Sequence, residues 1–337
     1  MNKISIAMTT YCGEKYILEQ LTSLLNQTRK PDEVVIFDDC SKDRTAEVVS
    51  RFIKDNHLSN NWHFEVNEEN KGFINNFAHA IERATGDIIF LCDQDDVWCD
   101  YKIQEMESLF DKHPDAMAIN SRFAFVDANG DAIHVSENSK KTNHDLINRV
   151  ILPNFCEKIS CLEVVKSNIS PGCTMAFRKE LKAIYLSTSR LLVPHDHELN
   201  ILASIHGELY FYNKEMIKYR IHENNAIGLP TNKKEQTTDF LDTMYHKRHS
   251  AISRLYVYQN SLKYINGIDV KGLKHIKYMS NLYMAKKLIY QKKQLRYVVN
   301  AVLCVFFVPR KIENLKTVIA DFLFMIRYKC FGGRDGN

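Results

Sequence analysis

The sequence predicts an α/β fold, a sheet flanked by helices with a basic helical extension behind it. Three observations predict it. Over residues 1–100, short β-branched or apolar runs alternate with segments whose apolar residues recur at helical spacing. Such alternation implies βαβ units with right-handed crossovers. Two of the apolar runs end directly in acidic residues, at the sheet edge where open α/β proteins bind ligands. From about Thr238 onward the pattern becomes helical and basic.

The elements follow in order. Residues 4–8 are a short apolar run, read as a strand. Residues 14–27 carry Ile17, Leu21, Leu24 and Leu25 at helical spacing. Pro31 and Asp32 punctuate, and EVVIF at 33–37 is a β-branched run. Ser41 is placed to cap a helix that runs to Phe52. Residues 63–66 read as a third strand and 73–84 as a helix. Gly86 ends that helix, and DIIFLC at 87–92 is a fourth strand. Beyond Trp98 the pattern loosens. Residues 101–112 read as helix and 116–126 as strand, with Asn129-Gly130 as a turn signal. Residues 135–170 are polar and irregular, with room for an acceptor-side loop. Residues 172–177, 209–212 and 216–221 read as further strands. The expected division is an α/β domain over 1–235 and a helical extension over 236–337.

Composition excludes several classes. An apolar fraction of 45% with 18 Phe is too high for a disordered chain. The N-terminal stretch has no apolar run of secretory length, so no signal peptide is expected. Nine cysteines without a CxxC pair point to reduced cytosolic thiols rather than a disulfide framework or zinc ribbon. No run approaches the roughly 20 apolar residues of a membrane-spanning helix. The net charge of +4 hides a split: residues 247–337 hold 18 Lys+Arg against 4 Asp+Glu. Such asymmetry points to an anionic surface, membrane or nucleic acid. No helix-turn-helix, zinc-finger or RRM pattern accompanies it, so nucleic acid is not an expected partner.

The sharpest local feature is DQDD at 93–96, directly after an apolar strand. Three carboxylates crowded at a strand end repel one another unless a cation sits between them. Hard oxygen ligands suit Mg²⁺ or Mn²⁺. The plain alternative is a solvated acidic turn. Asp38 and Asp39 follow another strand; one could cap the next helix and the other accept hydrogen bonds from a base or ribose. Asn70-Lys71-Gly72 precedes a helix, where a Lys and free N–H groups suit an anion. His195-Asp196-His197 follows Pro194 at a helix start. A zinc pair there lacks a third Cys or His at the usual spacing, whereas Asp196 can serve as a general base. Arg220 and His222 end a strand-like run, and His222 could complete a metal site or meet a phosphate.

The order of these motifs resembles glycosyltransferase family 2, with the GT-A fold, and is most similar to its bacterial rhamnosyltransferase-like branch. The segments that carry the resemblance are TTYCGEKYILEQLTSLLNQT (9–28), FDDCSKD (37–43), NKGFINNF (70–77), DQDDVW (93–98), PGCTMAFR (171–178), HDHE (195–198) and YRIHENN (219–225). It spans about residues 1–230. It implies a mixed sheet flanked by helices. Thr9, Asp39 and Asp38 would line the nucleotide pocket with Lys71 nearby. Asp93 would meet the ribose or nucleotide, Asp95 would bind the divalent ion, and Arg220 and His222 would face the diphosphate or metal. Asp196 corresponds to the catalytic base. Cys12 and Cys40 stand where Asn and Gly are common, and His197 and Glu198 replace an aromatic pair.

The resemblance implies an inverting enzyme that takes a nucleotide-sugar donor, dTDP-rhamnose or a UDP-hexose. The acceptor would be a lipid-linked oligosaccharide of a capsule or O-antigen pathway. Two other readings compete. A sugar-phosphate nucleotidyltransferase calls for a Gly-rich loop after the first strand, where TTYCGEKY has one Gly. An inactive scaffold calls for lost carboxylates, and Asp39, Asp93, Asp95 and Asp196 are all present. In the extension, residues 297–308 are apolar but too short to span a bilayer. Ile312, Leu315, Ile319, Phe322 and Ile326 then recur at three and four. Basic and apolar residues concentrated together predict an interfacial anchor on the anionic inner leaflet. Helices packed on the catalytic domain, or a homodimer contact, are the alternatives.

Overall fold

The computed structural model describes residues 1–133, 147, 149–166, 168–187 and 194–222, with isolated positions between 281 and 319. The chain divides into two compact units, one of Met1–Arg190 with Pro194–Thr231 and one of Leu191–Val193 with Asn232–Asn337. The expected features of the extension lie almost wholly outside the described residues.

The first unit alternates as the sequence predicts: β1 (Ile4–Thr10), α1 (Ile17–Leu25), β2 (Glu33–Asp38), α2 (Thr45–Asp55), β3 (Trp62–Val66), α3 (Phe73–Arg83) and β4 (Ile88–Cys92). Then come β5 (Val97–Trp98), α4 (Lys102–Lys112), β6 (Ala116–Val126), β7 (Cys156–Ile159) and α5 (Cys161–Lys166). A 3₁₀ turn at Gly172–Thr174 leads into β8 (Met175–Arg178), α6 (Lys179–Ser187), α7 (His195–His206) and β9 (Glu208–Arg220).

One sheet runs β3-β2-β1-β4-β8-β6-β9-β5, with β7 also paired to β9. β1 to β4 are parallel; β8 is antiparallel to both β4 and β6, and β9 is parallel to β6. The sheet is therefore mixed. Every residue of β1, β2 and β4 is buried, as expected of strands covered on both faces. Their side chains Ile4, Ile6, Met8, Ile36 and Phe90 join Leu21, Leu24 and Phe52 of α1 and α2 in the core.

β1 has β2 on one side and β4 on the other. Right-handed crossovers then send α1 and α2 to one face and α3 to the other. The chain thus parts above the carboxyl ends of β1 and β4, the crevice where such sheets bind ligands. Register aligns those ends: Thr10 pairs with Asp38, and Met8 with Cys92. Thr9, Asp38, Asp39 and Asp93 therefore share one edge.

Several boundaries differ from the sequence reading. The helix after β2 starts at Thr45, not Ser41, because Ser41 is held by Asp38 in the preceding turn and Asp43 accepts the Thr45 N–H at 3.0 Å. Residues 209–212 and 216–221 are parts of the single strand β9, since its irregular register against β6 lets pairing continue through polar residues. Residues 172–174 form the 3₁₀ turn rather than strand. Within the stretch read as irregular, β7 and α5 form because β9 offers an open edge to Cys156–Ile159.

Candidate active site

At the carboxyl ends of β1 and β2, the two aspartates after β2 have different partners. Asp38 is fully buried and accepts from Thr10 Oγ1 at 2.7 Å, Ser41 Oγ at 2.6 Å and the Ser41 N–H at 2.8 Å. It ties the end of β1 to the turn after β2. Asp39 accepts the backbone N–H groups of Lys71 (2.7 Å) and Gly72 (2.9 Å) and the Asn67 amide (3.0 Å). It thereby folds the 67–72 loop over the strand ends. Gly72 has φ +77°, a left-handed conformation that favours glycine. The Lys71 ammonium lies 3.4 Å from His79 Nδ1.

The DQDD turn is fixed from three sides. Gln94 reaches back to the loop after β1, accepting the Tyr11 N–H at 2.7 Å and donating to the Tyr11 carbonyl at 2.9 Å. Gly13 makes room for it, since a Cβ there would stand 2.2 Å from Gln94 Oε1. Arg220 is 1% exposed and donates to the carbonyls of Asp95 (2.8 Å), Asp127 (3.4 Å) and Ala128 (3.4 Å), pairs with Glu19, and lies over the Tyr16 ring. Its guanidinium shapes the turn from beneath. His222 meets Asp95 directly, with Nε2 2.9 Å from Oδ2, and its ring packs on Tyr16.

Beneath the turn lies a buried polar cluster. One ligand atom each from Asp93, Asp96 and Cys173 fall within 4.8 Å of one another. Burial, then the charges of Asp96, Asp95 and Asp196, pushes the Asp93 carboxyl well above its ordinary range. Burial and the charge of Asp95 push Asp96 up to about 7. Lys102, with no exposed surface, is the local cation. Its ammonium donates to the Cys173 carbonyl at 2.7 Å and lies 3.4 Å from the centre of the Trp98 ring. Burial lowers it to about 8, against the pull of Cys173, Cys92 and Asp96.

This donor set suits a divalent cation. Asp95 and His222 supply a carboxylate and an imidazole already in contact, and burial with mutual repulsion raises the proton affinity of the neighbouring carboxylates. Asp96 Oδ2 has no N–H or O–H partner among the described residues.

Asp196 stands in the first turn of α7. It accepts the His197 N–H at 2.7 Å and the Asn168 amide at 2.8 Å. Burial raises it to about 6, against those hydrogen bonds. Its charge reaches Asp93, so Asp196 and the acidic turn share one field. Gly172 allows the approach: a Cβ there would stand 3.2 Å from Asp196 Cβ and 3.0 Å from His195 Nε2. His195 stacks on Phe77 with centroids 4.0 Å apart, and burial lowers it to about 3. It is neutral at ordinary pH, and no zinc pair forms from it and His197, whose Nε2 lies 2.8 Å from the Val164 carbonyl.

The structure thus gathers Thr9, Asp38, Asp39, Lys71, Asp93, Asp95, Asp196 and His222 along one edge, with Arg220 below the acidic turn. Sequence reasoning did not find Lys102, Asn168, Gln94 or the parts played by Asp96 and Cys173. Lys102 has no sequence signal, because a helix-start lysine ordinarily faces water. Cys173 stood inside PGCTMAFR, but only the fold brings it to the carboxylates.

Comparison with known proteins identifies the family and the fold. The profile of Glycosyl transferase family 2 matches residues 5–183. An uncharacterized glycosyltransferase of Nostoc sp. is 24% identical over 240 residues, 69% of this chain and 70% of that protein. The poly(ribitol-phosphate) beta-N-acetylglucosaminyltransferase TarS of Staphylococcus aureus is 32% identical over 115 residues, 34% of this chain and 20% of its own. The crystal structure of residues 1–349 of TarS with UDP superposes with a TM-score of 0.60 at 16% identity, covering 99% of this chain and 93% of that one. A mannosyltransferase of Pyrobaculum calidifontis, solved with GDP-Man and Mn²⁺, superposes at 0.50 with 14% identity over 98% and 88%. Those likenesses share the GT-A fold, and with the family profile covering more than half of the sequence, the chain belongs to glycosyltransferase family 2.

Proposed function

We propose that this glycosyltransferase inverts the anomeric centre as it moves a sugar from a nucleotide-diphosphate donor to a lipid-linked oligosaccharide in surface-polysaccharide synthesis. The observation that carries the reading is Asp196, a buried carboxylate raised to about 6 that shares one field with the acidic turn. Asp39, with Thr9, holds the nucleotide base and ribose, while Asp38, first expected to share that task, is buried and braces the turn through Thr10 and Ser41. Lys71 stands by, and Asp93 meets the ribose or nucleotide. Asp95 and His222 would hold Mg²⁺ or Mn²⁺. Such an ion, when bound, neutralises charge growing on the departing diphosphate. Asp196 takes the proton of the acceptor hydroxyl as that oxygen attacks the anomeric carbon from the face opposite the diphosphate. Arg220 keeps Asp95 in place by bonding its carbonyl.

Resemblance to the rhamnosyltransferase-like branch supports dTDP-rhamnose, and UDP in the TarS structure supports a UDP-hexose. TarS and a teichuronic acid biosynthesis glycosyltransferase of Bacillus subtilis among the relatives support a surface-polymer acceptor. The basic 236–337 extension would bring the enzyme to the anionic inner face of the membrane, and it also leaves room for homodimer contacts. Incubation with a panel of nucleotide sugars, Mn²⁺ and lipid-linked acceptors tests the reading. Release of nucleoside diphosphate with an inverted linkage is expected. Retention of configuration, or no release from any donor, would sink it.

A further inference from the structure

Two cysteines stand at the mouth of the crevice and have no part in the chemistry above. Cys12 follows β1 and Cys40 follows β2. The strands pair Thr10 with Asp38, and the Asp39 N–H continues the ladder to the Thr10 carbonyl at 2.8 Å. Two residues on from the Thr10–Asp38 pair, Cys12 and Cys40 occupy corresponding positions in the two loops. The Cys12 N–H donates to Ser41 Oγ at 2.8 Å, which keeps the loops side by side. Both cysteines stand beyond the strands with φ +47° and +65°, and the Cys40 thiol also faces the Glu68 carbonyl at 3.9 Å. The bridge therefore needs the two side chains to turn toward each other across the roughly 4.4–6.8 Å Cα separation that a disulfide spans.

The thiols sit beside a cation. Lys42 Nζ is 3.2 Å from Cys40 Sγ, and its ammonium is also favoured by Tyr11 and Cys12. Cys12 is exposed and Cys40 partly so. Reactive cysteines are partly exposed thiols in electropositive surroundings, where a neighbouring ammonium meets the negative charge that sulfur carries as it attacks. By contrast Cys92, Cys161 and Cys173 are buried.

We propose that Cys12 and Cys40 form a thiol–disulfide switch across the mouth of the crevice, responsive to low-molecular-weight disulfides of the glutathione class. The Cys40 thiolate attacks one sulfur of RSSR. Its S–S bond breaks, Cys40–S–S–R forms and RS⁻ leaves. The Cys12 thiolate then attacks Cys40 Sγ, forming the Cys12–Cys40 disulfide and releasing the second RS⁻. The two protein thiols are oxidised, RSSR is reduced to two RSH, and the two cysteine protons end on them. The bridge joins the loop that follows Thr9 and Thr10 to the loop that carries Asp39, and so closes the nucleotide end. This gating rests on the reading that nucleotide binds there.

The test uses the full chain. Reduced protein is treated with oxidised glutathione, free thiols are blocked, and linked peptides are mapped by mass spectrometry. UDP and dTDP binding is measured by calorimetry before oxidation, after it, and after dithiothreitol. The expected result is a Cys12–Cys40 peptide and at least tenfold weaker nucleotide binding, restored on reduction. Lys42→Met should slow the linkage several-fold, and Cys40→Ser should abolish it and leave binding insensitive to glutathione. Cysteines that stay unlinked, or a linked protein that binds nucleotide like the reduced one, would overturn the switch. Reduced protein that binds neither nucleotide would refute the donor-site reading and the gating with it, while the peptide map still decides the thiol chemistry.

Discussion

Asp196 shows how one residue acquires a task from its surroundings. A free aspartate is ionised far below neutral pH and is a weak base. Burial raises this one from 3.8 to about 6, so it is ionised at neutral pH yet ready to accept a proton. The sign follows directly: the base form is lost as pH falls through about 6, so kcat/KM should decline on that acid side. Asp196→Asn should lower kcat by about 10²–10⁴ and remove that limb while circular dichroism stays unchanged. A pH–rate profile of both proteins checks it, and full turnover by the Asn variant would end the base assignment. Arg220 is the contrasting case. Its guanidinium is buried and bonded to backbone carbonyls, while its partner Glu19 is half exposed, so Arg220→Met strands chiefly the Asp95 carbonyl. Loss of about 1–3 kcal/mol is expected in urea unfolding, the cost of leaving a buried acceptor without its donor.

At the scale of elements, close approaches hold the site. β4 begins beside β1 at Gly86, where a Cβ would stand 2.6 Å from the Ser5 backbone nitrogen and 2.8 Å from the Lys3 carbonyl. Backbone cannot swing aside as a side chain can. Gly86→Ala should therefore destabilise by about 1–3 kcal/mol, read as a lower urea midpoint. The 3₁₀ turn before β8 works differently, because it packs against Asp196, the proposed base. Gly172→Ala crowds His195 and Asp196 by a few tenths of an ångström, so kcat should fall more than the unfolding midpoint does. Legibility also divides by element. β1, β2 and β4 were readable because each is a buried run between turn residues, whereas β3 is a short run of which only Trp62 is buried. β5 was not, since two residues carry no period and Val97–Trp98 is a strand only through pairing with β9.

For the molecule as a whole, the acidic turn and the basic extension make separable predictions. Burial and their mutual charges push Asp93 and Asp96 toward their protonated forms, which a bound cation would reverse. Treatment with EDTA should abolish transfer, and Mn²⁺ or Mg²⁺ should restore it; activity indifferent to chelation would remove Asp95 and His222 as ligands. Among the described residues no helix is long and apolar enough to cross a membrane. A chain cut after residue 235 should lose co-sedimentation with anionic vesicles while the full chain keeps it, and binding should weaken as salt rises. Equal sedimentation of both chains would place the membrane contact elsewhere.

The sequence by itself determined the α/β alternation and the strand-end carboxylates Asp38, Asp39, Asp93 and Asp95. Periodicity, turn residues and the position of an acid after an apolar run are local properties, readable within a dozen residues. The tertiary structure alone decided what each of these acids touches. Asp38 turned inward to Thr10 and Ser41, Asp95 met a histidine 127 positions away, and Arg220 was drawn beneath the turn. It also decided proton affinity, setting Asp96 at about 7 and Asp196 at about 6. The reason is that desolvation and charge coupling depend on what is packed around a carboxylate, and here those neighbours come from segments far apart in the chain.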